Sequence, residues 1–203
     1  MKERGMIFNG EMVRAILDGR KTQTRRPVKL PHIDRDAMCE LSGNELAGEL
    51  SAGNYRNSLH GKPGDRIWVR ETSGLQVRRD ALGGTGEFRV YRASAPDAIR
   101  YTTAEGKEVP LKWTPSIHMP RHACRILLEI TGIRIERLAS ISDDDAGKEG
   151  YPANPATYGG DMDKWLWFRQ LWDSIYPDQS FKHNPWVWVI EFKVVPNVQD
   201  NPA

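Results

Sequence analysis

Residues 15–26 read AILDGRKTQTRR, and within this run a helical pattern gives way to an extended one. Four apolar residues before Gly19 share one helix face: Met12, Val13, Ile16 and Leu17. Because glycine is a natural helix stop, we predict a helix over about residues 10–18. The chain then becomes extended, and Pro27 would end either a helix or a strand. The segment after the helix, residues 19–26, carries four positively charged side chains and the hydroxyls of Thr22 and Thr24.

Four further segments are predicted as strands. Residues 66–70 alternate after the turn at residues 62–65, and residues 88–91 lie between a glycine-rich segment and Pro96. Residues 125–138 form a longer strand that is broken near Gly132. Residues 186–195 are apolar on both faces at their start, which is typical of a central strand.

Two helices and an insertion complete the predicted order of elements. Ser142 is a hydroxyl cap for a helix that begins with three aspartates, which stabilise its positive end more often than they bind metal. Residues 162–175 carry an aromatic stripe at helical spacing, which favours core packing over base stacking. Residues 31–60 are polar, and we predict an inserted loop with one helix around residues 36–50. The order of elements predicts an α+β domain built on a small barrel.

The composition is that of one globular domain rich in turns. Of the 203 residues, 39% are hydrophobic and 28% are charged. We expect a single domain over residues 1–196, with insertions at about residues 31–60 and 75–110 and a flexible tail at 197–203. No stretch approaches the roughly 18 apolar residues of a membrane span, and because the first 30 residues carry many charges, we expect no signal peptide. With only Cys39 and Cys124, we expect reduced thiols, a cytoplasmic protein and no membrane partner.

The charge is unevenly distributed along the chain, although the net charge is only +2. Residues 1–35 hold nine Lys or Arg against four Asp or Glu, whereas residues 136–178 hold nine acids against four bases. The basic end is suited to an anionic ligand such as a nucleotide or RNA. The alternative is that the two regions attract each other within one fold.

Several familiar catalytic motifs are missing from the sequence. It has no GxxxxGK[ST] phosphate loop, no GxGxxG after a strand, no HExxH and no GxSxG. Residues 83–86 (GGTG) are interpreted as a hairpin turn. The spacing of His118, His122 and Cys124 suggests zinc, but a fourth ligand is not evident and a strand would scatter them between faces. We therefore expect neither a metal nor a cofactor.

The basic segment at residues 19–26 gives Lys21 a candidate role as a base. The like charges of Arg20, Arg25 and Arg26 disfavour its ammonium form and lower its pKa. An ordinary lysine, with a pKa near 10.4, would have to fall by about three pH units to act as a base at neutral pH. Neighbouring arginines in water would not suffice, so burial in the mouth of the barrel would have to supply the rest. Without that burial, the segment is a solvated basic edge strand.

Four runs of sequence together resemble the ASCH domain. They are residues 15–26, residues 63–72 (PGDRIWVRET), residues 115–121 (PSIHMPR) and residues 184–192 (NPWVWVIEF). More closely, they resemble the longer ASCH proteins encoded by bacteriophages and prophages. The resemblance covers nearly the whole chain apart from residues 31–60, 75–110 and the tail. It implies a PUA-like small mixed β-barrel with flanking helices, a shape associated with binding RNA or modified bases.

The resemblance also implies an activity. Some small bacterial ASCH proteins are amidohydrolases that remove the acyl group of N(4)-acetylcytidine with a lysine and a threonine of the GRKTxT segment and a glutamate near the start of a later helix. These residues match Lys21, Thr24 and Glu149, with Glu71 and Asp145 as competitors for the acid. Thr24 would attack the amide carbonyl after Lys21 takes its proton, and Glu149 would protonate or orient the departing amine. Because residues three apart on a strand face opposite ways, Lys21 and Thr24 can meet only if the chain turns near Lys21.

Further polar residues are expected around the pocket, where they would bind a modified cytidine nucleoside or RNA. They are Arg25, Arg26, Arg70, Glu71, His118 and Arg121; the alternative for each is an ordinary ion pair, which is the favoured interpretation for Arg25. Two other functions stay open. The first is a non-catalytic reader of RNA or modified nucleotides, in which Trp68 or Trp113 stacks on bases. The second is a ribonuclease with a basic groove.

Overall fold

A computed structural model of the chain describes residues 1–79, 85–153 and 163–197. Its strands are β1 (Glu3–Ile7), β2 (Gln23–Pro27), β3 (His32–Ile33), β4 (Glu40–Leu41), β5 (Arg66–Arg70), β6 (Ser73–Arg79), β7 (Thr85–Tyr91), β8 (Ile99–Thr102), β9 (Glu108–Pro110), β10 (Leu127–Arg137) and β11 (Trp186–Val195). Its α-helices are α1 (Gly10–Leu17), α2 (Gly43–Ser51), α3 (Asp143–Lys148) and α4 (Asp163–Ile175). This mixture of strands and helices confirms the predicted α+β class.

The main sheet has five strands in the order β1-β5-β10-β11-β2. Strand β11 pairs antiparallel with β2, so that Val189 lies opposite Arg25 and Ile190 opposite Thr24. Both faces of β11 are covered, because the consecutive residues Trp188 and Val189 are fully buried. The prediction of a central strand at this position is therefore confirmed. Closure of the sheet into a small barrel stays a prediction.

Two compact units make up the chain, and their boundaries fall within strands and within helix α1. The first contains Met1–Glu3, Ala15–Arg66 and Leu128–Val194, and the second contains Arg4–Arg14, Ile67–Leu127 and Val195–Ala203. The single domain over residues 1–196 stays a prediction. Asn197, the first residue of the predicted tail, donates a hydrogen bond to the Cys124 carbonyl at 2.6 Å, while residues 198–203 lie outside the described part.

The core of the first unit explains the aromatic stripe of α4. Phe168 and Trp172 pack with Val187 and Val189 of β11 and with Phe181. Each such side chain contributes roughly 1.5–3 kcal/mol when it is removed from water. The indole N–H of Trp172 donates to the Gln179 carbonyl at 2.8 Å, which satisfies its polar atom inside the core. The stripe is packed in the core, as the sequence predicts; Met162, the first residue of the predicted helix, lies outside the described residues.

The helix predicted around residues 36–50 begins later, at Gly43. The Ser42 hydroxyl accepts a hydrogen bond from the Glu45 amide, and the Glu45 carboxylate accepts one from the Ser42 amide. This reciprocal capping fixes the helix start. The preceding residues form a turn instead, because the Asp34 carboxylate accepts hydrogen bonds from the amides of Asp36 and Ala37.

Two strand predictions need correction. Strand β10 continues through Gly132, although its buried residues change from even positions such as Ile130 to odd positions such as Ile133. The strand is therefore not broken near Gly132, contrary to the prediction. Instead, the alternation of buried residues shifts by one position there. The second correction is a set of strands that was not predicted, namely β1, β3, β4, β6, β8 and β9. Of these, β6 pairs with β7 along its length. Gly83 and Gly84 of the predicted hairpin turn lie outside the described residues.

The four α-helices and the short helical turns of the described ranges include none that is both long and apolar enough to cross a bilayer.

Candidate active site

Lys21 reaches the site through a turn at the end of α1. Gly19 adopts a left-handed conformation with φ of +72°, which glycine tolerates without strain. The amides of Arg20 and Lys21 then both donate to the Ala15 carbonyl at 2.9 Å. After this turn, Lys21 forms an antiparallel bridge with Glu149, the residue that follows α3. The predicted turn is present, but it comes before Lys21.

The side chains of Lys21 and Glu149 form a buried pair. The Lys21 Nζ lies 2.7 Å from Glu149 Oε2 and 2.8 Å from the Glu149 carbonyl oxygen. Lys21 is 1% exposed and Glu149 is 3% exposed. Burial lowers the pKa of Lys21 from its ordinary value; Glu149 opposes this effect, and the charges of Arg26 and Arg25 add to it. Burial is thus the main cause of the lowered pKa, as the sequence argument required.

The two hydrogen bonds decide what the Lys21 amine can do chemically. A neutral lysine amine has two N–H groups and one lone pair. Both N–H groups can be donated to Glu149, which leaves the lone pair free to accept a proton. The geometry is that of an oriented base, whose orienting group is the Glu149 carboxylate.

Arg25 holds the other oxygen of the same carboxylate. Its Nη1 lies 3.1 Å from Glu149 Oε1 and 2.6 Å from Gln23 Oε1. Its Nη2 lies 2.7 Å from Glu136 Oε1 and 3.3 Å from Asp145 Oδ2. The Arg25 side chain has no exposed area. Each oxygen of Glu149 therefore accepts a hydrogen bond from a different basic side chain.

Asp145, a competitor for the acid role, is held by several cations. Its Oδ2 accepts hydrogen bonds from Arg134 at 3.0 Å and from Arg25, and its Oδ1 accepts one from Lys148 at 3.0 Å. Partial burial raises its pKa, but the bond from Lys148 and the charges of Arg25 and Arg134 outweigh this and lower the pKa overall. Among the hydrogen bonds of the described residues, none joins Asp145 to Lys21. Its contacts are those of a charge that holds Arg25 in place.

Thr24 is buried on β2, at 1% exposure. Gln23 and Arg25 share one face of this strand, since their side chains are bonded to each other. Alternation along the strand places Thr24 on the opposite face. The hydrogen bonds found within residues 1–79, 85–153 and 163–197 include none between Thr24 and Lys21. The structure thus brings together two members of the predicted catalytic set, Lys21 and Glu149.

Glu149 is the predicted acid, but the helical context predicted for it is wrong. It lies at the C-terminal end of α3, where its amide donates to the Ala146 carbonyl, rather than near a helix start. Gly150 follows with φ of +106°, and a Cβ there would lie 2.8 Å from the Cβ of Ala15. A glycine at this position lets the backbone after Glu149 approach the end of α1 closely.

Part of the charged network near Glu149 is not predicted from the sequence. Arg134 of β10 contacts Glu136 at 3.1 Å and Glu191 at 2.5 Å. The sequence spacing could have placed Gln23 and Arg25 at the site. They follow Lys21 at intervals of two and therefore share its face of an extended segment. No local sequence pattern predicts the place of Arg134, Glu136 and Glu191 at the site. The pairing of distant strands brings them there.

The remaining predicted binding residues are divided between the two units. In the first unit, Arg26 donates to the Tyr176 hydroxyl at 3.2 Å. The other four lie in the second unit: Arg70, Glu71, His118 and Arg121.

Each of these four residues has its own surroundings. Arg70 donates to the carbonyls of Ser116 and Ile117. The buried Glu71 carboxylate accepts two hydrogen bonds from Arg125, at 2.8 and 2.9 Å. His118 is exposed, and Arg121 lies 3.4 Å from the side chain of Asn197.

The three residues considered for zinc do not form a ligand set in the described part of the chain. His118 and His122 are exposed, whereas the Cys124 thiol is buried and donates to the Ile126 carbonyl at 3.0 Å. Burial raises the pKa of this thiol. Across the described ranges, no group of three or more His, Cys, Asp or Glu side chains is arranged to hold a metal ion.

Comparisons with known proteins give matches among solved structures alone. No protein-family model matches the sequence, and no curated protein matches it. One of the structural neighbours is an ASCH domain, the family that the sequence motifs resemble. This ASCH domain is from Lactobacillus crispatus JV V101; the match covers 97% of this chain and 81% of that one, with 13% identity and a TM-score of 0.45. A second match, protein EF3133 from Enterococcus faecalis V583, of the family model DUF984, covers 97% and 82% with 9% identity and a TM-score of 0.40.

Proposed function

We propose that this chain is an amidohydrolase that removes the acyl group from the exocyclic amine of N(4)-acylcytidine nucleosides. The observation that carries the proposal is the Lys21–Glu149 pair, in which a buried amine of lowered pKa is oriented by a carboxylate. A lowered pKa increases the fraction of the amine that is unprotonated at a given pH, and the unprotonated form is the one that acts as a base. The resemblance of residues 15–26 to the ASCH amidohydrolase segment supports the same substrate class.

In the proposed reaction, Lys21 accepts the proton of the attacking hydroxyl, and Thr24 is the assigned nucleophile. Attack on the amide carbonyl forms an acyl ester, and the cytosine amine leaves with the proton that Lys21 returns to it. Water then hydrolyses the ester, which releases the carboxylic acid and restores the hydroxyl. Since both Glu149 oxygens accept hydrogen bonds, one from Lys21 and one from Arg25, we assign Glu149 to orient Lys21 and the leaving amine rather than to donate a proton.

Two movements are required for this reaction. Because Thr24 lies on the opposite face of β2, its hydroxyl reaches Lys21 only after a rearrangement of residues 22–24. Because the Lys21 side chain has no exposed area, substrate reaches its amine only when neighbouring segments open. A water molecule activated directly by Lys21 needs the second movement but not the first. The Thr24→Val variant separates the two routes, since valine has nearly the same shape but no hydroxyl.

The test is a chromatographic assay of purified protein with N(4)-acetylcytidine and with a bulkier N(4)-acyl analogue. We expect the parent to release cytidine and the Lys21→Met variant to release none. Lys148→Met is the matched control, because Lys148 is an exposed lysine of the same site region that pairs with Asp145 and not with Glu149. Circular dichroism and thermal unfolding of each variant show that it is folded. Cytidine release by a folded Lys21→Met variant, or no turnover by the parent, contradicts the proposal.

A second candidate function is a reader of RNA or modified nucleotides, and the complete enclosure of Lys21 favours it. In that function, the Lys21–Glu149–Arg25 network is a structural support for the end of α3. The parent would then show no turnover but would bind RNA with an affinity that falls steeply with salt. We place either activity in the cytoplasm, because Cys39 and Cys124 are free thiols.

A further inference from the structure

The second unit contains a cavity of about 580 Å³. Its polar lining comes from the start of α1 and the residue before it, from the residues after β5 and β7, and from the segment around residue 116: Asn9, Gly10, Arg14, Glu71, Thr72, Arg92 and Ser116. Its volume lies within the range of about 300–1,000 Å³ that is usual for sites of small ligands. Glu71 and Thr72 belong to one run of the ASCH resemblance and Ser116 to another, and the hydrolase proposal uses neither run.

Two guanidinium groups line this cavity without a carboxylate partner in the described part of the chain. Arg14 donates one hydrogen bond, to the Ala93 carbonyl at 3.2 Å. The exposed Arg92 guanidinium makes no hydrogen bond or ion pair with the described residues. A guanidinium presents a rigid fork of donors that matches phosphate and carboxylate oxygens. The two arginines therefore leave donors available for an anion.

Two carboxylates line the cavity, and the charge of the first, Glu71, is balanced by Arg125. The Arg125 Nε and Nη2 atoms lie 2.8 and 2.9 Å from the two Glu71 oxygens. Each of these oxygens keeps a lone pair, which can accept a hydrogen bond from a ligand hydroxyl or amine. Glu11, in the first turn of α1, is the other acid of the lining and is exposed. It is a repulsive charge for an anion in the cavity.

The rest of the lining is apolar. It consists of Ile7, Phe8, Ala93 and Pro96. A ligand that fits both parts carries an anionic group and a body with apolar faces and hydrogen-bond donors.

We propose that this cavity binds a nucleoside monophosphate. Its phosphate lies between Arg14 and Arg92, its sugar hydroxyls or base amine face Glu71, and its base packs on the apolar wall. The site is separate from the Lys21–Glu149 pair and does not depend on the hydrolase proposal.

Titration calorimetry with CMP, cytidine and inorganic phosphate tests this site. We expect CMP to bind at least tenfold more tightly than either phosphate or cytidine, because only CMP fills both parts of the cavity. The Arg92→Gln variant should weaken CMP binding roughly tenfold, the loss expected for one charge-assisted contact. Glu11→Gln should tighten it several-fold, because it removes a like charge.

The controls separate this site from general charge effects and from the first unit. Lys107→Gln removes an exposed cation of the same unit that does not line the cavity, and it should leave CMP binding unchanged. Lys21→Met should also leave it unchanged. No CMP binding at millimolar concentration overturns the proposal, as does CMP binding that Lys21→Met abolishes and Arg92→Gln does not affect. Phosphate binding as tight as that of CMP also overturns it, since the cavity then recognises no nucleoside.

Discussion

Glu149 in the first unit and Glu71 in the second are both buried carboxylates, with 3% and 2% of their surface exposed. Glu71 is held by one residue, Arg125, whose guanidinium binds both oxygens and stacks 4.1 Å from the centre of the Tyr91 ring. Glu149 divides its oxygens between Lys21 and Arg25. The two acids thus have the same burial and charge but different partners.

This difference separates a structural ion pair from a candidate catalytic one. An arginine does not lose its proton at any pH at which a protein is folded, so Arg125 cannot act as a base beside Glu71. A buried lysine can lose its proton, and burial lowers the pKa of Lys21. The burial of an acid is therefore not sufficient to mark a catalytic site; its partner must also be able to exchange a proton.

The largest expected effect comes from removing the charge of each acid in turn. Glu149→Gln should lower kcat/KM for N(4)-acetylcytidine by about 10²–10⁴-fold, the usual contribution of a residue in acid–base catalysis. Glu71→Gln should leave kcat/KM for the same substrate within a few-fold of the parent value. Steady-state kinetics of the two folded variants measures both values, and an equal loss in both would remove the distinction between the two sites.

The next effect concerns stability. Arg25→Met leaves Glu149, Glu136 and Asp145 without a shared cation, and the free energy of unfolding should fall by about 3–5 kcal/mol. Arg125→Met should cost less, about 1–3 kcal/mol, because 26% of the Arg125 side chain is exposed to water. Urea denaturation of both variants gives the comparison. A larger loss for Arg125→Met would show that the network around Arg25 contributes little.

A pH-dependent effect distinguishes the base role of Lys21 from a structural role. As the base, Lys21 must be deprotonated, so kcat/KM should rise as the pH goes up through its lowered pKa. Arg26→Gln removes a charge that lowers this pKa. The rise should therefore move to higher pH in Arg26→Gln while the maximum rate is kept. A profile that does not move would count against Lys21 as the titrating group.

The same lowered pKa predicts how stability depends on pH. The unfolded chain binds the Lys21 proton more tightly than the folded chain, so stability should rise with pH between the folded pKa and the ordinary value of 10.5. Lys21→Met should lack this contribution. Denaturation of the parent and the variant over this pH range measures the difference, and parallel curves would contradict a lowered pKa.

The smallest effect is expected beneath the Glu71–Arg125 pair. The Tyr91 hydroxyl donates to the Ala123 carbonyl at 2.8 Å, and its ring lies under the Arg125 guanidinium. Tyr91→Phe keeps the ring and removes the hydrogen bond, so the free energy of unfolding should fall by about 1 kcal/mol. Thermal unfolding measures this loss, and hydrolysis should be unaffected. A loss of hydrolysis would connect the second unit to the reaction.

The sequence predicted the parts of the fold and site that depend on local patterns. The apolar face before Gly19 predicted α1, and the clustered charges with the need for burial predicted the lowered pKa of Lys21. The aromatic spacing predicted α4 and its place in the core. Each of these signals lies within one helix or within the short segment that follows it, and in the helices periodicity determines which face is buried.

The parts that were missed depend on contacts between distant segments. Glu136 and Arg134 reach the site through strand pairing, and a capping box at Ser42 rather than hydrophobic periodicity fixes the start of α2. The resemblance favoured Glu149 over Glu71 and Asp145 as the acid, but the position of Glu149 at the end of α3 became clear only from the structure. Arg25 was interpreted as an ordinary ion-pair residue because one sequence does not show that three carboxylates converge on it.

The most direct measurement is an NMR titration of the Lys21 side chain. The Hε–Cε resonances of the lysines are followed with pH, and the Lys21 signal is assigned as the one that Lys21→Met lacks. The account predicts that Lys21 titrates well below 10.5, its ordinary value. A midpoint at or above that value would contradict the central claim, because Lys21 would then be a permanent cation and its pair with Glu149 a structural ion pair like that of Glu71.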